Sequence, residues 1–174
     1  MSVAIAAGAV LILSTTTASA QSLTYGAGAG VTLPMGDFKD AAKTGWHALG
    51  FIGYAMPSGL GLRGEGFYGQ NTFKATSSVK GKLSGGLGSV SYAFGHSVGI
   101  KPYVIGSAGV FNVKATGPGG SASETKFAFG GGAGLKLPVG TDGNLFLESR
   151  YLTAQTSGGS TSFIPITVGF SFGK

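Results

Sequence analysis

The chain has 174 residues, a length that suits a single domain; only 10% of the residues are charged, and 34 are glycine. Soluble domains carry about 25% charged residues and about 7% glycine, so the composition argues against an ordinary water-exposed surface. The sequence contains no cysteine, which excludes disulfides and thiolate metal sites, and its 12 basic and 6 acidic residues form no cluster of the kind that binds nucleic acid.

The first twenty residues differ from the rest of the chain. An apolar run over 3–13 precedes several Ser and Thr residues and the small-residue site Ala18-Ser19-Ala20. This order is typical of a secretory signal peptide, although residues 1–20 contain no lysine or arginine. A buried apolar helix is the alternative, and the run is short of the roughly 20 residues that span a membrane. We therefore expect a signal peptide over 1–20 and one mature domain over 21–174.

Beyond Gln21 the residues alternate between apolar and small or polar types, which is the periodicity of β-strands. Breaks fall where Gly, Pro, Asn, Asp and Ser cluster. Eight strands are predicted, over 23–33, 45–56, 60–71, 82–94, 100–115, 125–137, 144–155 and 162–172. Three connections are predicted as tight turns, at 57–59, 95–97 and 141–143. The other four are predicted as longer and more polar loops, centred on 37–40, 74–77, 117–120 and 157–159.

The first, sixth and eighth strands each place bulky apolar residues on one face and small or polar residues on the other. In the last strand the apolar face carries Ile164, Ile166, Val168, Phe170 and Phe172. The faces of the second and fourth strands are ambiguous: in the second, Gly50, Ile52 and Tyr54 compete with Leu49, Phe51 and Ala55. Short turns at one end, longer loops at the other and strands of about ten residues predict an eight-stranded antiparallel up-and-down transmembrane β-barrel.

Three segments resemble a known family, the small outer-membrane barrel proteins, similar to the transmembrane domain of outer membrane protein A and to the OmpX- and opacity-type barrels. They are 33–38 after the first strand, 45–50 at the start of the second, and 166–172 at the end. The resemblance implies a place in the bacterial outer membrane, among its lipid and lipopolysaccharide. It also implies that Ile166, Val168, Phe170 and Phe172 are the signal for the barrel assembly machinery, although this chain continues with Gly173-Lys174.

Two charge pairs interrupt the apolar strands. Arg63 and Glu65 in the third strand, and Glu148 and Arg150 in the seventh, lie on the face opposite the apolar one. The third and seventh strands oppose each other across an eight-stranded barrel, whose bore is filled by side chains. We therefore predict that Arg63 pairs with Glu148, and Glu65 with Arg150, across the lumen. We interpret these pairs as a plug; a gate or an ion pathway is the alternative.

No enzymatic chemistry is indicated. His47 and His96 are predicted at opposite ends of the barrel, so no Ser-His-acid grouping can be assembled, and no metal or cofactor site is expected. Two matches to the dinucleotide-binding glycine pattern, at 59–64 and 64–69, do not open a helix after a strand and are expected from so much glycine. Interfacial aromatic girdles are predicted from Tyr25, Trp46, Tyr54, Tyr68, Tyr92, Tyr103 and Tyr151.

The sequence therefore predicts a non-enzymatic barrel with a structural or surface-interaction role, whose long loops would contact a surface ligand. In the first loop, 37–43, a short capped helix is predicted. A narrow diffusion channel, or small porin, is the first alternative. The second is a soluble calycin-like barrel, which would turn its apolar faces inward around a hydrophobic ligand.

Overall fold

The computed structural model describes residues 22–36, 39, 43–72, 80–94, 99–117, 120–156 and 159–173. The predicted signal peptide, His96 and most of the first loop, with its predicted short helix, lie outside these residues. The described residues form eight strands: β1 Ser22–Met35, β2 Gly45–Ala55, β3 Leu60–Thr72, β4 Lys80–Ala93, β5 Lys101–Gly117, β6 Gly120–Val139, β7 Gly143–Thr156 and β8 Gly159–Phe172. Among them, no helix is long and apolar enough to cross a membrane.

The strands close into a barrel in chain order, and β1 pairs with β8. Every neighbouring pair is antiparallel, so the predicted up-and-down architecture is confirmed. We call the end with the β2–β3, β4–β5 and β6–β7 connections the turn end, and the opposite end the loop end. At the turn end, Gly59 and Gly140 adopt positive φ angles of 88° and 68°, which glycine tolerates without steric cost.

Two connections at the loop end are shorter than the sequence predicts. β5 and β6 pair as far as Gly117 and Gly120, and β7 and β8 as far as Thr156 and Gly159, so each connection has only two residues. The prediction of long loops at these two places is therefore wrong. The small Ala, Ser and Thr residues that flank the tips are compatible with continued antiparallel pairing, so the strands extend where turn residues alone indicated a loop.

The outward face of the barrel is apolar. Its exposed residues include Phe127, Phe129, Val168 and Phe170, in agreement with the predicted faces of the sixth and eighth strands. In β2, Leu49 is buried inside while Ile52 and Tyr54 are exposed outside. In β4, Leu87 and Ser89 are buried inside, and Val90 and Tyr92 are exposed outside. The soluble barrel required apolar faces turned inward, and this outward apolar surface contradicts it.

The interior has two layers. Toward the loop end, an apolar layer is formed by Leu49, Phe67, Leu87, Phe111, Ala128, Leu152, Ala154 and Phe163. The ring of Phe111 packs edge-on against Phe67 at 5.3 Å and against Phe163 at 6.0 Å between ring centroids. Toward the turn end lies a charged layer. The lumen is thus apolar over one part of its length, whereas the sequence indicated a polar interior throughout.

Inward glycines make room for these large side chains. A Cβ added to Gly134 would lie 2.4 Å from the Tyr103 ring, and one added to Gly169 would lie 2.6 Å from the Phe146 ring. Both distances are far below van der Waals contact, so no other residue fits there without displacing the ring. Tyr103 is only 2% exposed inside the barrel, and its predicted place in an interfacial girdle is wrong.

Candidate functional site

The charged layer consists of four side chains from two opposite strands. β3 provides Arg63 and Glu65, and β7 provides Glu148 and Arg150; three strands separate β3 from β7 on either side of the barrel. Residues two apart on a strand point to the same face, so each strand delivers one cation and one anion to the lumen. None of the four side chains is more than 10% exposed.

The structure brings these four residues together across the lumen. Arg63 Nη2 donates to both carboxylate oxygens of Glu148, at 2.9 and 2.8 Å. Arg150 donates from Nη1 and Nη2 to the two oxygens of Glu65, at 3.0 and 2.5 Å. Each strand also pairs internally, since Arg150 Nε lies 2.5 Å from Glu148 Oε1 and Arg63 Nη2 lies 3.3 Å from Glu65 Oε2. The result is a closed ring of alternating charges with no net charge.

Three polar side chains outside β3 and β7 complete the ring, and the sequence analysis missed them in this role. The Tyr103 hydroxyl donates to Glu148 Oε2 at 2.7 Å, and the Ser89 hydroxyl donates to Glu65 Oε1. Ser107 accepts from Arg150 Nη1 at 3.0 Å and lies 2.8 Å from Ser89. A signal was present, because Ser89 and Ser107 are cross-strand partners on one inward face. Strand assignments alone do not identify such partners.

Arg63 is the least completely satisfied member of the ring. Its Nε lies 3.1 Å from Glu65 Oε1, but the N–H does not point at that oxygen, and the atom has no hydrogen-bond partner among the described residues. The guanidinium carbon lies 4.8 Å from the centre of the Phe51 ring, a cation–π distance. Arg63 therefore forms the boundary between the charged layer and the open turn end.

His47 lies inside the barrel and is fully buried. Its Nδ1 is 3.0 Å from Thr32 Oγ1, its Nε2 is 2.8 Å from Thr167 Oγ1, and its ring stacks on Phe67 at 5.1 Å. Both ring nitrogens are thus engaged by threonine hydroxyls. Among the described residues, no group of three His, Asp or Glu side chains could hold a metal ion.

The alternating residues at the end of β8 all lie on the outward side of the barrel. Val168, Phe170 and Phe172 are exposed, and Ile166 is half-buried on the same face. Phe172 is the register partner of Tyr25 in β1, and the two rings stack at 5.7 Å. The strand that carries the predicted assembly signal therefore also closes the barrel.

The arrangement is suited to filling space rather than to turning over a substrate. The ring of charges has complementary donors and acceptors and no net charge, so it offers no unpaired acid or base at its centre. On the loop side it is covered by the apolar layer. Within the described residues, these two layers lie one after the other along the lumen.

Comparison with known proteins supports this architecture. Residues 5–172 match the family model described as the outer membrane protein β-barrel domain. No curated protein matches the chain. Solved structures do match: Neisserial surface protein A is 17% identical with a TM-score of 0.68, and the match covers 87% of this chain and 96% of that one.

Two further solved structures are similar. The N-terminal β-barrel domain of Pseudomonas aeruginosa OprF is 20% identical with a TM-score of 0.54. Ail, the attachment invasion locus protein of Yersinia pestis, solved in complex with the heparin analogue sucrose octasulfate, is 17% identical with a TM-score of 0.53. Each match covers 87% of this chain and 97% of the other. At these identities the likeness shows the fold, whereas the family model spans almost the whole chain: the protein belongs to the outer membrane protein β-barrel domain family and resides in the bacterial outer membrane.

Proposed function

We propose that this protein is a closed, non-enzymatic barrel that acts as a structural and surface-interacting component of the outer membrane. The observation that carries the proposal is the filled lumen, in which a ring of ion pairs spans β3 and β7 and an apolar layer covers it on the loop side. Eight strands enclose a bore just wide enough for side chains. A barrel packed in this way serves through its outer surface and its loop end, not as a passage.

The environment of His47 supports the absence of catalysis. A general base needs a nucleophile or substrate within hydrogen-bond reach and an entry path for the substrate. The Thr32 and Thr167 hydroxyls lie within reach of the His47 ring nitrogens, but a substrate has no entry path to them, because His47 is fully buried. His47 is therefore assigned no catalytic role.

Lipopolysaccharide is the proposed partner at the loop end. Lys82 and Lys114 are cross-strand partners on β4 and β5, both exposed on the outward face. Like charges directly opposite each other destabilise a sheet, unless an anion lies between them. Tyr68 and Trp46, whose rings pack at 5.8 Å, mark the edge of the apolar surface just below. The two ammonium groups are therefore placed to bind a phosphate of the outer leaflet.

The partner proposal is tested by lipopolysaccharide binding to the folded protein in uncharged detergent. Lys82→Gln and Lys114→Gln should each weaken binding several-fold. Lys43→Gln, which removes the same charge at the same end, should leave it unchanged. Equal weakening in all three variants would show that overall charge, rather than this pair, attracts the lipid.

We also propose that the end of β8 directs the assembly of the barrel. The outward alternation that ends in Phe170 and Phe172 provides the signal for the barrel assembly machinery, and the Phe172 contact with Tyr25 seals the barrel. Phe172→Ala should slow the appearance of folded, heat-modifiable protein in cells. Phe129→Ala, an exposed aromatic on β6, is the matched control.

The closed lumen is tested by conductance in planar bilayers. The folded protein should give no steady conductance at any salt concentration, because no continuous aqueous path crosses the two layers. A stable conductance that scales with salt and changes in Glu65→Gln would refute the proposal and favour the narrow channel.

A further inference from the structure

A cavity of about 380 Å³ opens at the turn end of the barrel, between the charged layer and the surroundings. Arg63 and Tyr103 form its inner end, and Lys101 and Lys136 line its side. Arg63, Tyr103 and Lys136 all face the inside of the barrel, so the cavity lies within the lumen. Its volume is at the lower end of the range for small-molecule sites, roughly 300–1,000 Å³.

Two lysines point into this cavity without an ion-pair partner. Lys101 on β5 and Lys136 on β6 are direct register partners, and their place in the strand alternation puts both on the inward face, next to Tyr103. Lys136 is half-buried, and its Nζ lies 5.3 Å from the centre of the Tyr103 ring. Neither ammonium forms a hydrogen bond or an ion pair within the described part of the chain. Among the described residues that line the cavity, none is acidic.

The charged ring cannot neutralise these lysines. Glu148 and Glu65 are each engaged by two arginines, and the ring as a whole has no net charge. The cavity therefore carries two excess positive charges that face each other across one strand pair, an arrangement that is unfavourable without an anion between them. Lysine ammonium groups bind phosphate and carboxylate as point charges.

The rest of the cavity lining combines apolar and small polar side chains. Phe51, Ala55 and Ala93 contribute apolar surface, and the small polar groups come from Ser22, Thr24, Ser91, Asn144 and Ser171. A ligand that matches this lining has a compact anionic group for the two lysines and a short hydrocarbon part for the apolar side chains. We propose that this cavity is a binding site for a small organic anion, a carboxylate or phosphate monoester with a short hydrocarbon portion, which enters from the turn end.

The site is tested by calorimetric titration of the folded full chain, in a detergent with an uncharged headgroup, with butyl phosphate and with inorganic phosphate. Butyl phosphate should bind at least fourfold more tightly than inorganic phosphate, the gain expected from about one buried methylene. Lys136→Gln and Lys101→Gln should each weaken butyl phosphate at least tenfold. Lys43→Gln, with the same change in net charge outside the cavity, should bind as the parent protein does.

Two results of the titration would overturn the site, and a third would overturn the choice of an organic ligand. Absence of binding to the parent protein at millimolar butyl phosphate, or equal affinity in the parent and both lysine variants, would overturn the site. Equal affinity for butyl phosphate and inorganic phosphate would overturn the organic ligand, because the apolar side chains of the lining would then contribute nothing. Lys101 is exposed at the mouth, so its variant is expected to fold, which is checked by heat-modifiable gel mobility.

Discussion

Replacement of Glu148 by glutamine tests the charged layer most directly. The change keeps the shape of the side chain and removes one negative charge from a group that is 1% exposed. In the native barrel this carboxylate accepts hydrogen bonds from Arg63, Tyr103 and Arg150. After the change, two guanidinium groups would share the single carboxylate of Glu65, and the amide NH₂ would face donors.

The magnitude follows from burial. Removing one partner of a buried ion pair costs about 3–5 kcal/mol, because the remaining charge is left uncompensated. Arg63 is 10% exposed and borders the cavity, so it can be partly hydrated, whereas Arg150 is only 3% exposed. We therefore expect Glu148→Gln to lower the free energy of unfolding by about 3 kcal/mol, which is more than a hundredfold in the folding equilibrium.

The assay is urea-induced unfolding in phosphatidylcholine vesicles. Trp46 is the single tryptophan of the chain and lies on the outward face, so its fluorescence reports transfer between lipid and water. Glu124→Gln is the matched control, because Glu124 pairs with Lys126 at 3.3 Å but is 58% exposed. Exposed pairs contribute about 0–1 kcal/mol.

A loss below about 1 kcal/mol in Glu148→Gln, no greater than in Glu124→Gln, would refute the reasoning. A second variant separates charge imbalance from general damage. In Arg63→Met with Glu148→Met both members of one pair are absent, so the remaining ion pair is neutral. We expect the double variant to be destabilised less than the sum of the two single ones, with a coupling of about 1–3 kcal/mol.

Two further pairs of substitutions, each a test and its control, examine the interior packing by the same assay. Gly134→Ala should displace the Tyr103 ring and destabilise the barrel, whereas Gly106→Ala should not, because a Cβ there meets no atom within 4 Å; equal effects would argue against the close packing. Phe111→Ala should cost about 3–5 kcal/mol, since the ring is fully buried in the apolar layer. Val110→Ala on the outward face should cost less than half of that, and the reverse order would show that the faces are exchanged.

The architecture was predictable where one face of a strand is small and the other bulky. In β1, β6 and β8 the alternation identifies the outward face, and the structure agrees. The four lumen charges were placed by the same logic, because Arg63 and Glu65 are two apart, as are Glu148 and Arg150. Strand parity and barrel closure alone were enough to set β3 against β7.

The same logic failed in β2, and its failure has a physical cause. The rule that polar residues face inward assumes a polar lumen, but near the loop end the lumen is filled by an apolar layer. Apolar residues of β2 therefore suit both environments: Leu49 and Phe51 face the apolar lumen, and Ile52 and Tyr54 face outward. No property of β2 by itself separates the two faces, since the answer depends on Phe67 and Leu87 of the neighbouring strands.

Side-chain contacts between strands that are far apart in the sequence could not be predicted either. Tyr103 resembles a girdle residue because it is a tyrosine near the end of a strand. Its contact with Glu148 shows that it belongs to the lumen. The sequence places His47 near the loop end but does not show that it is buried. Its burial depends partly on Thr167, which is 120 positions along the chain and contacts its ring. Such contacts depend on the register between strands, which local sequence does not set.

The two layers close the lumen by different physical means, which makes the closure resistant to single changes. The charged layer fills space with side chains held by mutual pairing, and loss of one partner admits water only as far as the layer above. The side chains at the centre of that layer, Phe111, Leu152 and Phe163, are apolar and cannot hydrate an ion. Removing an apolar ring, in turn, leaves the ion pairs below in place. An open passage therefore requires changes in both layers at once, so a single substitution is expected to reduce stability long before it creates conductance.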